Sequence, residues 1–204
     1  MFGMTEPGAY VLAVIVFLAI PGPGNLALLT STAQGGLRGG LLATLGVIAG
    51  DQVLIWAAVA GMAALLLATP VLFGLLQWAG ALYLGWLGLR LIWHARSGVG
   101  TIRMSAGRYF SQSMLITVLN PKAIVFYLAF FPLFIDPQQH RGVLTFAAMA
   151  LIAAMLTFLY GLVLCSAATR LSGHFGQRPG LGVWLNRLAG LVMIGFGLRM
   201  VWIR

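Results

Sequence analysis

The chain has 204 residues, 61% of them hydrophobic and only 7% charged, with a mean hydropathy of +0.99. Soluble domains carry about 25% charge, so this composition belongs to an integral membrane protein. The formal net charge of +9 does not indicate nucleic acid, because the arginines are spread over short connections between apolar runs and form no single solvated face.

The length fits six helices of about 20 residues, the span needed for a ~30 Å hydrocarbon core. No cleavable signal peptide is expected, since residues 1–7 carry Glu6 and no basic residue and the apolar run that follows is too long. The first run extends from Ala9 to Ser31 and is interrupted by Pro21-Gly22-Pro23-Gly24-Asn25. A polar turn over residues 34–40 leads into the second run, Leu41 to Ala68, which contains Asp51. Thr69-Pro70 makes a tight connection to the third run, Val71 to Trp93. Residues 94–109, with Arg96, Arg103 and Arg108, form a basic linker between two halves. The fourth run, Phe110 to Ile135, is interrupted by Asn120-Pro121-Lys122, and the fifth and sixth are Val143 to Ala168 and Trp184 to Ile203. Cys165 is alone and reads as a small buried helix residue, with no disulfide, metal cage or redox pair available to it.

Arginine placement orients the chain. Arg38, Arg90, Arg96, Arg103, Arg108, Arg170, Arg178 and Arg187 fall on one side, and Arg141, Arg199 and Arg204 on the other. Eight against three puts the loops after helices one, three and five in the cytoplasm and both termini outside. The halves also repeat. Gly88-Leu89-Arg90-Leu91-Ile92-Trp93 recurs as Gly197-Leu198-Arg199-Met200-Val201-Trp202. Three helices per half is an odd number, so the second half must run inverted. The expected fold is therefore all-α: one transmembrane domain over residues 1–204, with six transmembrane helices as two inverted three-helix repeats, about 9–93 and 110–204.

Lys122 is the feature that composition alone does not explain. A lysine in mid-membrane costs at least ~2.5–3.5 kcal/mol on insertion scales and marks a functional site with a partner. Pro21 lies twelve residues into its run, Asp51 ten and Lys122 twelve. At 1.5 Å per residue these are depths of roughly 15–18 Å, half of a ~30 Å core. Both breaks and both embedded charges thus fall near one plane. Asp51 is the one carboxylate inside a span, and Lys122 is its natural partner. Lys122 either neutralises Asp51 structurally or meets a substrate, and Asp51 is a candidate proton carrier. Unwound backbone at Pro21, Gly22, Pro23 and Gly24 survives at membrane depth only where it is buried or lines a cavity. Asn25 and Asn120 either cap the broken ends or serve a ligand, and Pro121 frees a carbonyl in the turn before it. Half-helix N-termini beyond the breaks suit a carboxylate. The Gly46-x-x-x-Gly50 pair reads as helix packing that brings Asp51 beside its neighbours.

These motifs resemble the lysine exporter / homoserine–threonine resistance (LysE/RhtB) superfamily. The similarity rests on Pro21-Gly22-Pro23-Gly24-Asn25, on Gly46-x-x-x-Gly50-Asp51, and on Asn120-Pro121-Lys122-Ala123 followed by Phe130-Phe131-Pro132-Leu133-Phe134, and it covers essentially the whole chain. The resemblance implies efflux of amino acids or related small zwitterions across the bacterial inner membrane, driven by the proton gradient, in a chain that often pairs as a homodimer. Many members carry Asp where this chain has Gly24, which favours a neutral amino acid over lysine.

The expected function is thus a secondary exporter working by alternating access. The Pro21–Asn25 and Asn120–Lys122 breaks would hold the substrate's carboxylate and amine, with Asp51 exchanging protons. No cofactor is expected. A cation exporter of related fold would want several oxygen ligands or histidines in the membrane, where one carboxylate is present. An intramembrane enzyme would want a Gly-x-Ser-x-Gly, an HExxH or a second cysteine, and none occurs. A non-transporting membrane scaffold gives no reason to keep Asp51 and Lys122 at one depth.

Overall fold

The computed structural model describes Met4, residues 6–68, 102–134 and 142–170, and single helical positions within 78–93 and 187–198. Its described elements are all helices. Two of them are long and apolar enough to cross a membrane, Pro23–Gly61 and Val143–Arg170, and Pro7–Ala19 is a shorter apolar helix.

Helix α1, Pro7–Ala19, begins with proline in its first turn, where a missing N–H costs nothing. It stops at Ile20, whose backbone is extended (φ −67°, ψ 119°). That is the conformation forced on a residue that precedes proline, and neither Pro21 nor Pro23 has an N–H to carry the ladder on. Thirteen residues reach roughly 20 Å, too little for a ~30 Å core. After the break the chain continues as α2, Pro23–Ala68. Within α2, Gly36 takes φ 62°, ψ −161°, a conformation open in practice to glycine alone. The break turns the chain back on itself, setting Gly39 and Gly40 against Ser31 and Thr32 of the first arm. The polar turn expected over residues 34–40 is therefore one non-helical residue between two helical arms, 23–35 and 37–68.

Helix α3, Tyr109–Val118, and α4, Pro121–Val125, are separated by Leu119 and Asn120. Helix α4 runs on through a π turn, Phe126–Phe130, and a 3-10 turn, Phe131–Phe134. Helix α5 is Val143–Arg170. The basic linker is irregular over residues 102–108. Apart from single helical positions, the third and sixth runs lie outside the described residues, as do the Gly197–Trp202 copy of the repeat (Leu198 excepted), His94, His140 and His174.

Helix α5 shows which surface faces lipid. Met149, Ala153, Thr157, Gly161 and Cys165, each four residues after the last, are buried. Leu151, Met155, Leu159 and Val163 are all more than half exposed. Apart from Met149, small and polar side chains turn inward and large apolar ones outward, the reverse of a soluble helix and in keeping with a lipid-exposed bundle. Aromatic packing fills the space between α1 and the end of α4. The Phe17 and Phe126 rings stack at 4.0 Å, and Tyr10, Tyr127, Phe131 and Phe134 meet edge to face. On the other side, α2 lies directly on α3. A Cβ added at Gly50 would come within 2.7 Å of the Thr117 Cβ and 2.9 Å of the Met114 carbonyl oxygen, and one at Gly46 would meet the Phe110 carbonyl. The Gly46-x-x-x-Gly50 pair thus presses α2 against α3, one residue before Asp51.

Candidate functional site

The two helix breaks meet. Where α1 ends, its last carbonyls have no N–H partner in the helix and together carry its partial negative charge. The Lys122 ammonium, on the first turn of α4, donates to the carbonyl oxygens of Phe17 at 2.8 Å and Ile20 at 2.9 Å. It also lies 4.4 Å from the centroid of the Phe17 ring, over its electron-rich face. Asn25, on the first turn of α2, covers the same helix end. Its two Nδ2 hydrogens are shared among the carbonyls of Leu18 at 3.0 Å and Ile20 at 3.3 Å and the Tyr160 hydroxyl of α5 at 3.1 Å. Asn120 caps α4, its Oδ1 accepting from the Lys122 backbone N–H at 3.0 Å. Both asparagines therefore close broken helix ends.

Asp51 is 2% exposed. Its carboxylate accepts a hydrogen bond from the Tyr127 hydroxyl, while Oδ2 has no partner. The π turn, which holds one more residue per turn than an α-helix, carries Tyr127. The Thr157 hydroxyl faces the same carboxylate without completing a hydrogen bond. The partnership expected between Asp51 and Lys122 takes another form: among the described residues no ion pair joins them. The lysine stem passes Gly22, with Cδ and Nζ both 3.6 Å from where a Cβ would stand, and delivers the charge to the end of α1 instead. The flexible four-carbon stem brings the charge to carbonyls that the broken helix leaves without donors.

Between these groups lies a cavity of about 40 Å³, room for two or three waters on the scale of about 10–15 Å³ each. Gly22, Gly24, Asn25, Asp51, Asn120 and Lys122 all line it. Pro21, Pro23 and Pro121 do not, and act through the backbone they interrupt. Thr117, Thr157 and Tyr160 also line it, and sequence reasoning passed over them. Their hydroxyls sit in apolar helices where a threonine or tyrosine is ordinarily packing, and only a polar face on the fifth run at the depth of Lys122 could have singled out Thr157 and Tyr160. The rest of the wall is apolar, with Phe17, Leu18, Leu28 and Val47. Among the described residues, Asp51 is the one acid and Lys122 the one base in the lining. The arrangement offers an amphipathic lining with one acid and one base around a space of a few waters.

The family profile described as LysE type translocator matches residues 15–203. The leucine efflux proteins of Salmonella typhimurium and of an Enterobacter species are each 32% identical to the chain, over 204 and 203 residues, covering 98% of it and 96% of their own length. An uncharacterised membrane protein of Pseudomonas aeruginosa is 34% identical over 206 residues, covering 97% of the chain and 95% of its own length. No solved structure matches.

Proposed function

The chain belongs to the LysE type translocator family of membrane transporters, and from that premise we propose that it is a proton-coupled exporter of neutral amino acids, with leucine the first to test. The observation that carries the substrate class is the charge balance of the cavity. Lys122 and Asp51 bring one positive and one negative charge to the lining, so the pocket carries no net charge. A zwitterion brings one ammonium and one carboxylate and leaves the pocket balanced. Lysine would add a second positive charge with nothing to meet it, and an unpaired charge in a low-dielectric site costs several kcal/mol. The names of the leucine efflux relatives agree with the apolar part of this wall.

The N–H groups of Gly24 and Asn25, in the first turn of α2, have no intrahelical partner and border the cavity. They suit the substrate carboxylate. Asp51 is assigned the exchanged proton. The same proposal takes the chain as one domain of six spans, in two inverted halves, moving by alternating access in the bacterial inner membrane. Cytoplasmic basic loops, external termini and pairing as a homodimer belong to it as well. Support for the inverted plan comes from the first and fourth runs, each broken by proline and meeting at Lys122.

Efflux from preloaded proteoliposomes tests this, using a panel of neutral and basic amino acids with and without a pH gradient. Export of neutral amino acids, accelerated by the gradient and insensitive to it in Asp51→Asn, is the expected result. Lysine export with leucine ignored would overturn the substrate class, and equal gradient dependence in Asp51→Asn would overturn the proton assignment.

A further inference from the structure

Three buried oxygens along the cavity have no hydrogen-bond partner: Asp51 Oδ2, Thr117 Oγ1 and Thr157 Oγ1. Each belongs to a side chain at most 3% exposed, and they come from three helices, α2, α3 and α5. Buried polar atoms are nearly always bonded, and an idle carboxylate oxygen in a dry interior is among the costliest exceptions. The threonines are unusual on their own helices. A threonine in a helix commonly satisfies itself on the carbonyl four residues back. Thr32 does so on Leu28 at 2.7 Å and Thr44 on Gly40 at 2.9 Å. Thr117 and Thr157 do not, and both line the cavity instead.

The chemistry of the set is selective. It offers one ionisable oxygen and two hydroxyl oxygens, all able to accept. A primary ammonium has three N–H donors in a fan and seeks three acceptors, one of them charged. A carboxylate would be repelled by Asp51. Lys122 is no rival ligand here: two of its three protons are held by Phe17 and Ile20, and its charge rests on a ring face.

Resting on the exporter reading above, we propose that Asp51 Oδ2, Thr117 Oγ1 and Thr157 Oγ1 form the subsite for the substrate's α-ammonium group, and that Lys122 is a positioning residue that fixes the end of α1 without touching substrate. Coupling follows from occupancy. Oδ2 holds either the ammonium or a proton. Protonation of Asp51 from outside displaces the amino acid, which leaves as a zwitterion. One proton moves inward for each amino acid released, and no bond other than the O–H of Asp51 forms or breaks.

The test uses the full-length protein in proteoliposomes, with L-leucine counterflow inhibited by two fragments of leucine. 3-Methylbutylamine keeps the ammonium and lacks the carboxylate, and 4-methylpentanoate does the reverse. Thr117→Val and Thr157→Val keep side-chain shape and delete only the hydroxyl. Each is expected to raise the leucine KM and the inhibition constant of 3-methylbutylamine about tenfold, the worth of one hydrogen bond to a charged group. The inhibition constant of 4-methylpentanoate stays the same, and Thr157→Ser restores the wild-type values. Thermal midpoints measured on the same variants separate loss of a ligand from loss of fold. If both fragments shift together or neither shifts, the subsite is wrong while the exporter reading stands. If folded wild-type protein moves no neutral amino acid at all, the exporter reading fails and the subsite with it.

Discussion

The ammonium of Lys122 stands 2.8 Å from the carbonyl oxygen of Phe17, 105 residues earlier in the chain, and with the bond to Ile20 it closes the end of α1. Lys122→Met removes two charge-assisted hydrogen bonds, each worth about 1.5–3 kcal/mol net, and strands two carbonyls. A loss of about 3 kcal/mol or more is expected, read as a lower thermal midpoint of the purified protein. Lys122→Arg does not restore it, because the stem already lies 3.6 Å from the Gly22 Cβ position and a planar fork suits carboxylates better than one helix end. A midpoint equal to wild type in Lys122→Met would refute the role.

Asn25 supplies donors where an isosteric aspartate supplies none. Asn25→Asp turns carboxylate oxygens toward the carbonyls of Leu18 and Ile20, so repulsion replaces two hydrogen bonds. Asn25→Ala only omits them. The expected order of stability, wild type above Asn25→Ala above Asn25→Asp, is read from the yield of monodisperse protein after mild heating. The reverse order for the two variants would show that the amide does not act as a donor here.

Gly50→Ala forces α2 and α3 apart, since its Cβ would lie 2.7 Å from that of Thr117, where neither backbone can yield cheaply. Overpacking of this kind costs about 1–3 kcal/mol. Gly24→Ala serves as the control, with nothing within 4 Å of its added Cβ. Thermal midpoints of the two variants should differ by that margin, and equal midpoints would mean the contact is soft.

Gly24 lines the cavity and a Cβ added there meets nothing within 4 Å, so Gly24→Asp adds an acid beside the cavity without a clash at Cβ. The added acid can balance the side-chain ammonium of lysine. The variant is expected to gain lysine efflux that the wild type lacks, measured with labelled lysine in proteoliposomes. No lysine flux in a folded variant would show that cavity charge does not set substrate class.

Much of this site is written in local chemistry. Proline and glycine act on their own backbone, so the interruptions near residues 21 and 120 and the close approach at Gly46 and Gly50 can be read without knowing what lies across from them. Depth arithmetic brings Asp51 and Lys122 to one level because a helix rises by a fixed step. It does not say where the lysine stem ends, which depends on where α1 stops, to within a turn. Single residues decide other details: the glycine-rich stretch 34–40 reads as a loop, yet Gly36 alone breaks the helix. Thr117, Thr157 and Tyr127 are less legible still. A hydroxyl in an apolar helix looks the same in sequence whether it bonds its own backbone, as Thr32 does, or faces a cavity.

The closed end of α1 has a consequence for energetics across the membrane. A row of carbonyls at a broken helix end is a natural seat for sodium in a transporter that runs on a sodium gradient. Here the seat is filled by the ammonium of a lysine tethered to the same chain. Replacing sodium by choline on both sides of the bilayer should leave the flux unchanged, because this counter-ion travels with the protein and not with the cargo.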